Sequence, residues 1–368
     1  MRFDIFCRVI DNFGDIGVCW RLARHLAARS PQHHITLWVD DLERFQPIEP
    51  AVKHQAVQSL TPSITLVHWT PNVSMREPGD VVIEAFSCDP PPAFVRAMVA
   101  RNSLWINLEY LSAELWVEGC HGLPSLQPNN LRKFFFFPGF TTRTGGLLRE
   151  DGLLQQRNRW LQQPAKRWAL LKHLGVPDST IESLQTTGRQ AFLFGYPGAP
   201  VHALINALAE SQTHWVLLIP EGLYPEVRSP ADTALQIVRI PFVTQDNFDM
   251  ILWSSDLNFV RGEDSVIRAL WAGKPLVWQI YEQEENAHII KLRAWLASSP
   301  YPESVHSLML NWNTGQTGAA QTSLTTLIDG PAWEQWKTAA MDWAEQLANQ
   351  PALAANLEAF CAKNWQTR

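Results

Sequence analysis

Asp11 and Asp15 stand four residues apart in the turn Asp11-Asn12-Phe13-Gly14-Asp15-Ile16-Gly17. Two carboxylates so placed can grip a cationic group and take a proton from it. They can equally cap the first amides of a following helix, and residue type leaves both roles open. A glycine pair after a strand also raises a dinucleotide phosphate loop. Against that, only Gly14 and Gly17 are present, GxGxxG is absent, and carboxylates within a few Å of a phosphate repel it. An acid here is expected to face a neutral or cationic acceptor. An NAD-dependent oxidoreductase, with Asp40 on the cofactor ribose, is one alternative reading. A non-catalytic module that recruits a partner through an acidic surface is the other.

A second cluster lies at Phe259-Val260-Arg261-Gly262-Glu263-Asp264-Ser265, where a strand ends and a helix opens. The amides of Asp264, Ser265 and Val266 offer a nucleotide diphosphate the positive end of a helix dipole. Glu263 suits a ribose diol, since a carboxylate accepts from both hydroxyls. The plainer reading makes Asp264 or Ser265 an N-cap, with Glu263 in solvent. Nearby in the expected topology lie Phe242, Gln245 and Phe248, from the turn Ile240–Gln245 and the helix after it. Tyr196 follows the run Phe192–Phe194. Three aromatics on strand carboxyl ends supply flat faces for a base, and Gln245 an amide able to read its edge.

These residues need strand–turn–helix units to carry them. Phe3–Ile10 reads as a strand, and Trp20, Leu22, Ala23, Leu26 and Ala27 recur at helical spacing. Further strands are expected at Ile35–Val39, Ile64–Trp69, Val81–Ala85, Leu104–Leu108 and Phe134–Pro138. After a helical middle, Leu153–Gln185, the alternation restarts with strands at Gln190–Tyr196, His214–Pro220, Leu235–Ile240, Leu257–Arg261 and Pro275–Ile280. Helices are expected at Gln245–Ser254, Ser265–Gly273 and Glu284–Leu296. From Tyr301 the chain reads as helical, with Trp333, Trp336, Ala340, Trp343 and Leu347 on one face. Strands alternating with helices give parallel sheets covered on both sides. The expected fold is α/β, two Rossmann-like domains facing across a cleft lined by strand carboxyl ends. Its parts are an N-terminal acceptor domain over 1–185, a nucleotide-sugar domain over 186–345, and a C-terminal helix, 346–368, returning to the first domain.

Composition narrows the function classes. The chain has 368 residues, 46% of them hydrophobic and 18% charged, with a formal net charge of −6. That fills two cores and argues against broad nucleic-acid or anionic-membrane binding. No signal peptide or membrane span is expected. Five scattered cysteines form no CxxC, and eleven histidines form no HxxxH or HxH, so no metal centre is expected. His33-His34 reads as a surface pair, and His25, His173, His202 and His288 as solvated or satisfied helical residues. GxSxG is absent, which argues against a hydrolase.

Asp11–Gly17, Asn107-Leu108-Glu109-Tyr110-Leu111-Ser112-Ala113-Glu114 and Arg261–Ser265, in this order, resemble the EarP family, bacterial protein-arginine rhamnosyltransferases that modify elongation factor P. Val82-Ile83-Glu84-Ala85-Phe86, Phe140-Thr141, Gly145-Gly146-Leu147 and Ala272-Gly273-Lys274-Pro275 fit as well, so the resemblance spans essentially the whole chain. It implies an inverting glycosyltransferase of GT-B architecture, in the cytoplasm, with dTDP-β-L-rhamnose as donor and an arginine guanidinium of elongation factor P as acceptor. It implies no cofactor, no metal, and neither a nucleic-acid nor a membrane partner. By motif position, Asp15 corresponds to the general base and Asp11 to a second essential aspartate, with Asn12, Phe13, Gly14 and Gly17 around them. Glu263, counted with the catalytic acids, joins Arg261, Gly262, Asp264 and Ser265 at the donor diphosphate and ribose. Phe194, Tyr196, Phe242, Gln245, Phe248 and Tyr281 correspond to residues around the thymidine and sugar.

Overall fold

The structure is a computed structural model that describes every residue except Asn12, Thr367 and Arg368, together with all side chains but theirs and that of Gln366. Two compact units form: residues 1–151 with 348–368, and residues 152–347.

The first unit holds eight strands: β1 (Arg2–Cys7), β2 (His34–Val39), β3 (Val57–Thr61), β4 (Ile64–His68), β5 (Val81–Ala85), β6 (Leu104–Leu108), β7 (Pro124–Leu126) and β8 (Arg132–Phe136). They lie in the order β3-β4-β2-β1-β5-β6-β8-β7. The inner strands pair in parallel, as apolar runs buried on both faces must. The edge pairs β3/β4 and β7/β8 are antiparallel. The second unit holds β9 (Arg189–Leu193), β10 (Trp215–Pro220), β11 (Leu235–Ile240), β12 (Leu257–Arg261) and β13 (Leu276–Gln279), all parallel, in the order β11-β10-β9-β12-β13. In both sheets the chain runs outward from a central strand, returns, and continues on its other side. That reversal opens a switch point between β1 and β5 and another between β9 and β12, where ligands bind such folds.

The first unit's core joins β1, β2, β5 and β6 to the helix Gly14–Arg29 through Ile5, Trp20, Leu22, Ile83 and Ile106. Leu353, Ala354, Leu357 and Cys361 of the last helix, Leu353–Gln366, belong to the same core. Trp333, Trp336, Ala340, Trp343 and Leu347 are all buried in the second unit.

Several expectations need correction. The segment 153–186 forms three helices of the second unit, so the units part at 151 and not at 185. The first strand ends at Cys7, because Val9 turns its amide to Asp40 Oδ1 (2.9 Å). His33 is buried, its Nδ1 2.8 Å from the Leu26 carbonyl, and His34 opens β2. His25 is not solvated: it is 2% exposed, and its Nε2 faces Asp151 Oδ1 at 3.8 Å, beyond hydrogen-bond distance.

Candidate active site

The β1 turn delivers Asp11, Phe13, Gly14, Asp15 and Gly17 to the first switch point, while Asn12 lies outside the described residues. The turn closes through Gly14 N–H to the Asp11 carbonyl (2.6 Å) and Gly17 N–H to the Phe13 carbonyl (2.9 Å). Asp11 folds its carboxylate over Gly14 so closely that a Cβ there would meet Oδ2 at 2.5 Å, so any larger residue would push that carboxylate aside. Asp15 is buried in the first helical turn. Its Oδ2 accepts the backbone N–H of Ile10 and of Asp11, both at 2.8 Å. These two bonds hold the loop before the helix, and the N-cap position, Phe13, contributes no side-chain bond. Asp40, the residue a dinucleotide reading puts on ribose, accepts from Val9 N–H instead.

On the other side of this switch point, the loop after β5 carries Phe86, Ser87 and Asp89 with φ of 57°, 54° and 52°. Non-glycine residues in this left-handed region persist only where their surroundings hold them. Asn107 is the holder: its Oδ1 accepts from Ser87 N–H (3.1 Å), and its Nδ2 donates to Ser87 Oγ (2.9 Å) and Glu109 Oε1 (2.5 Å). Phe86 stacks on Tyr110 at 4.4 Å. Beneath the loop, Glu84 is fully buried against Lys133 Nζ (2.7 Å) and Trp105 Nε1 (3.2 Å). Burial raises the Glu84 carboxyl pKa, against the opposing pull of Lys133. The absence of glycine from this loop hid its geometry from the sequence.

In the second unit an aromatic cluster surrounds Arg261 at the end of β12. Its guanidinium lies 4.4 Å from the Phe194 ring and 5.0 Å from that of Tyr196, and Nη1 donates to the Gly195 carbonyl (3.0 Å). Phe194 meets Phe248 at 5.4 Å and Phe242 at 6.3 Å, and Tyr196 meets Tyr281 at 5.7 Å. Phe194 is nearly buried, whereas Phe242 and Tyr281 are 39% and 44% exposed. Six of the aromatic and basic residues singled out from the sequence therefore meet in space. Gln245 opens the helix Gln245–Ser254 and is buried.

Two residues missed in the sequence shape this turn. Tyr224 donates its hydroxyl to the Tyr196 carbonyl (2.6 Å), and Gln279 Oε1 accepts from Tyr196 N–H (2.7 Å). Burial pushes the Tyr224 phenol pKa up, so it stays a donor. Tyr224 lies in a loop and Gln279 ends a strand, and no spacing ties either to Tyr196.

Gly262, Glu263, Asp264 and Ser265 open the helix Gly262–Ala272. Gly262 has φ +64°, a conformation that only glycine takes without strain, and its carbonyl accepts from Trp278 Nε1 (2.9 Å). The N-cap residue, Arg261, makes no side-chain cap, and Glu263 is not the solvated acid of the plainer reading: it pairs with Lys291. The first-turn amides have no earlier helical carbonyls to serve, which suits them to an anion. Arg268 and Asp249 form a buried two-point ion pair, 2.9 and 2.5 Å, tying this helix to Gln245–Ser254. No group of metal-ligating side chains occurs among the described residues, and none of their helices is long and apolar enough to cross a membrane.

The family model described as "Elongation-Factor P (EF-P) rhamnosyltransferase EarP" matches residues 3–362. A protein-arginine rhamnosyltransferase of Pseudomonas putida KT2440 is 43% identical over 390 aligned positions, covering 97% of this chain and 98% of that one. A solved structure concerned with EarP-mediated arginine glycosylation of translation elongation factor EF-P superimposes with a TM-score of 0.61. It is 30% identical and covers 98% of this chain and 99% of that one. A UGT transferase from Siraitia grosvenorii in complex with UDP has a TM-score of 0.53 at 11% identity, over 98% and 99% of the two chains, a likeness of fold. That fold is the pair of Rossmann-like domains expected from the strand pattern, in the glycosyltransferase architecture that the family resemblance implies. On this similarity over the whole chain, the chain belongs to the EarP family of elongation factor P rhamnosyltransferases.

Proposed function

We propose that the protein transfers L-rhamnose from dTDP-β-L-rhamnose to an arginine guanidinium of elongation factor P, with inversion at the anomeric carbon. The observation that carries this reading is the division of chemistry between the switch points. Carboxylates gather at one, while aromatic rings and a helix start gather at the other. A carboxylate-rich turn suits a cationic acceptor, and rings beside a helix N-terminus suit a nucleoside diphosphate.

In this reading Asp11 and Asp15 hold and orient the guanidinium, which is charged at neutral pH and a poor nucleophile. As its nitrogen bonds to the anomeric carbon, the bond from that carbon to the diphosphate oxygen breaks. The nitrogen grows acidic, and its proton passes to Asp15. Two backbone amides, those of Ile10 and Asp11, hold the Asp15 carboxylate in place through Oδ2. The departing dTDP gathers negative charge, which the amides around Ser265 stabilise. Phe242 and Phe248 lie against thymine, and Glu263 takes the ribose hydroxyls. The reaction so written needs neither cofactor nor metal. A translation factor as acceptor places it in the cytoplasm, with no call on nucleic acid or membrane.

The test is release of dTDP from dTDP-rhamnose. Release that requires elongation factor P, and stops when its acceptor arginine is replaced by lysine, supports the reading. Release that is indifferent to the acceptor protein contradicts it.

A further inference from the structure

Glu263 and Asp264 put two carboxylates into the first turn of the helix Gly262–Ala272. A helix start attracts phosphate through its amides and dipole, and acids in that turn work against it. A cation from elsewhere changes the balance. Lys291, on the helix Ala287–Ser298, donates its Nζ to Glu263 Oε1 at 2.7 Å. The two side chains are only 14% and 18% exposed, so solvent screens the pair weakly. Arg261, the other cation at this turn, is already engaged with the Gly195 carbonyl and the rings of Phe194 and Tyr196.

We infer that Lys291 is a positioning residue of the donor site, resting on the donor reading given above. It fixes the position of the Glu263 carboxylate, the group assigned to the ribose hydroxyls in that reading. It also offsets the charge of that carboxylate, so that a nucleoside diphosphate can settle on the neighbouring amides. Because Lys291 acts through Glu263, its contribution depends on Glu263 being charged.

A double-mutant cycle on the full-length protein tests this dependence, with dTDP as the probe in calorimetric titration. Lys291→Met is expected to weaken dTDP binding roughly 10- to 100-fold, the range for losing a sheltered charge-assisted bond. Lys291→Arg should recover most of the affinity. In a Glu263→Gln background, with no carboxylate charge to offset, Lys291→Met should cost less than about threefold. Thermal midpoints without ligand check that each variant is folded, and the Lys291→Arg and Glu263→Gln comparison decides the matter if Lys291→Met is not. Unchanged dTDP affinity in Lys291→Met overturns the inference, and so does an equal loss in the Glu263→Gln background. If the unaltered protein fails to bind dTDP, the donor reading itself falls; if it binds but the cycle shows no coupling, only the role of Lys291 falls.

Discussion

The carboxylate of Asp15 accepts the backbone N–H of Asp11 at 2.8 Å, so the second aspartate of the turn fixes the position of the first. Both acids therefore form one unit, and substitutions at Asp15 separate its structural and chemical roles. Asparagine keeps a carbonyl oxygen that can accept from Ile10 and Asp11 N–H. Asp15→Asn should leave the melting midpoint nearly unchanged while lowering transfer by roughly 10²- to 10⁴-fold, the range for loss of a general base. Donor affinity should persist. Asp15→Ala frees two amides and should also cost about 1–3 kcal/mol of stability. Thermal melts and turnover at saturating substrates check both variants. Near-normal turnover of Asp15→Asn moves the role of base to Asp11.

Phe242 is an exposed member of the ring cluster, and Phe194, which it meets, is nearly buried. Stacking of a base on an aromatic is worth about 1–3 kcal/mol, so Phe242→Ala should weaken dTDP roughly 5- to 150-fold with little change in melting. Phe194→Ala should instead destabilise the fold by about 3–5 kcal/mol. Titration calorimetry and melts on both variants distinguish a base platform from a core. Undiminished dTDP affinity in Phe242→Ala removes that ring from the site.

The buried pair Asp249–Arg268 ties together two of the helices that carry the proposed donor-site residues. Removing one partner strands a buried charge, so Asp249→Asn and Arg268→Met should each lose about 3–5 kcal/mol in denaturant unfolding. The double replacement Asp249→Leu/Arg268→Met should recover most of that loss. A double variant no more stable than either single one contradicts this account.

His25 supplies a pH dependence. Burial lowers its pKa below 6.5, against the opposing pull of Glu150 and Asp151. The unfolded state then binds the proton more readily than the folded one. Stability contributed by the neutral ring is complete above about 6.5 and lost as pH falls from there toward the lowered folded value. The melting midpoint of the protein should fall between about pH 7 and pH 5.5 by more than that of His25→Leu. Parallel melting curves for the two proteins across this range exclude His25 as the source.

Much of this was legible because strands buried on both faces read as continuous apolar runs. Val81–Ala85, Leu104–Leu108 and Leu257–Arg261 match the observed strands residue for residue. β3 and β7 escaped because they are short antiparallel edges with most of their residues exposed and no apolar run. The boundary at 151 escaped because helices that follow one sheet can pack with either unit, and sequence periodicity does not say which. In the candidate site, the strand-to-helix turns that carry Asp15 and Arg261–Ser265 were legible from type and place. Lys291, Tyr224 and Gln279 reach the proposed donor-site residues from segments with no fixed spacing to them. The tether from Asn107 to Ser87 and Glu109 crosses from one strand to its neighbour, and only the fold brings those residues together.

The most direct test of the account is the mass of elongation factor P after incubation with this protein and dTDP-β-L-rhamnose, followed by fragmentation to place the modification. The account predicts a gain of one deoxyhexose on one arginine side chain, with the protein carrying Asp15→Asn giving little or none in the same time. An unmodified acceptor, a sugar on another residue type, or equal modification by the Asp15→Asn protein would contradict it.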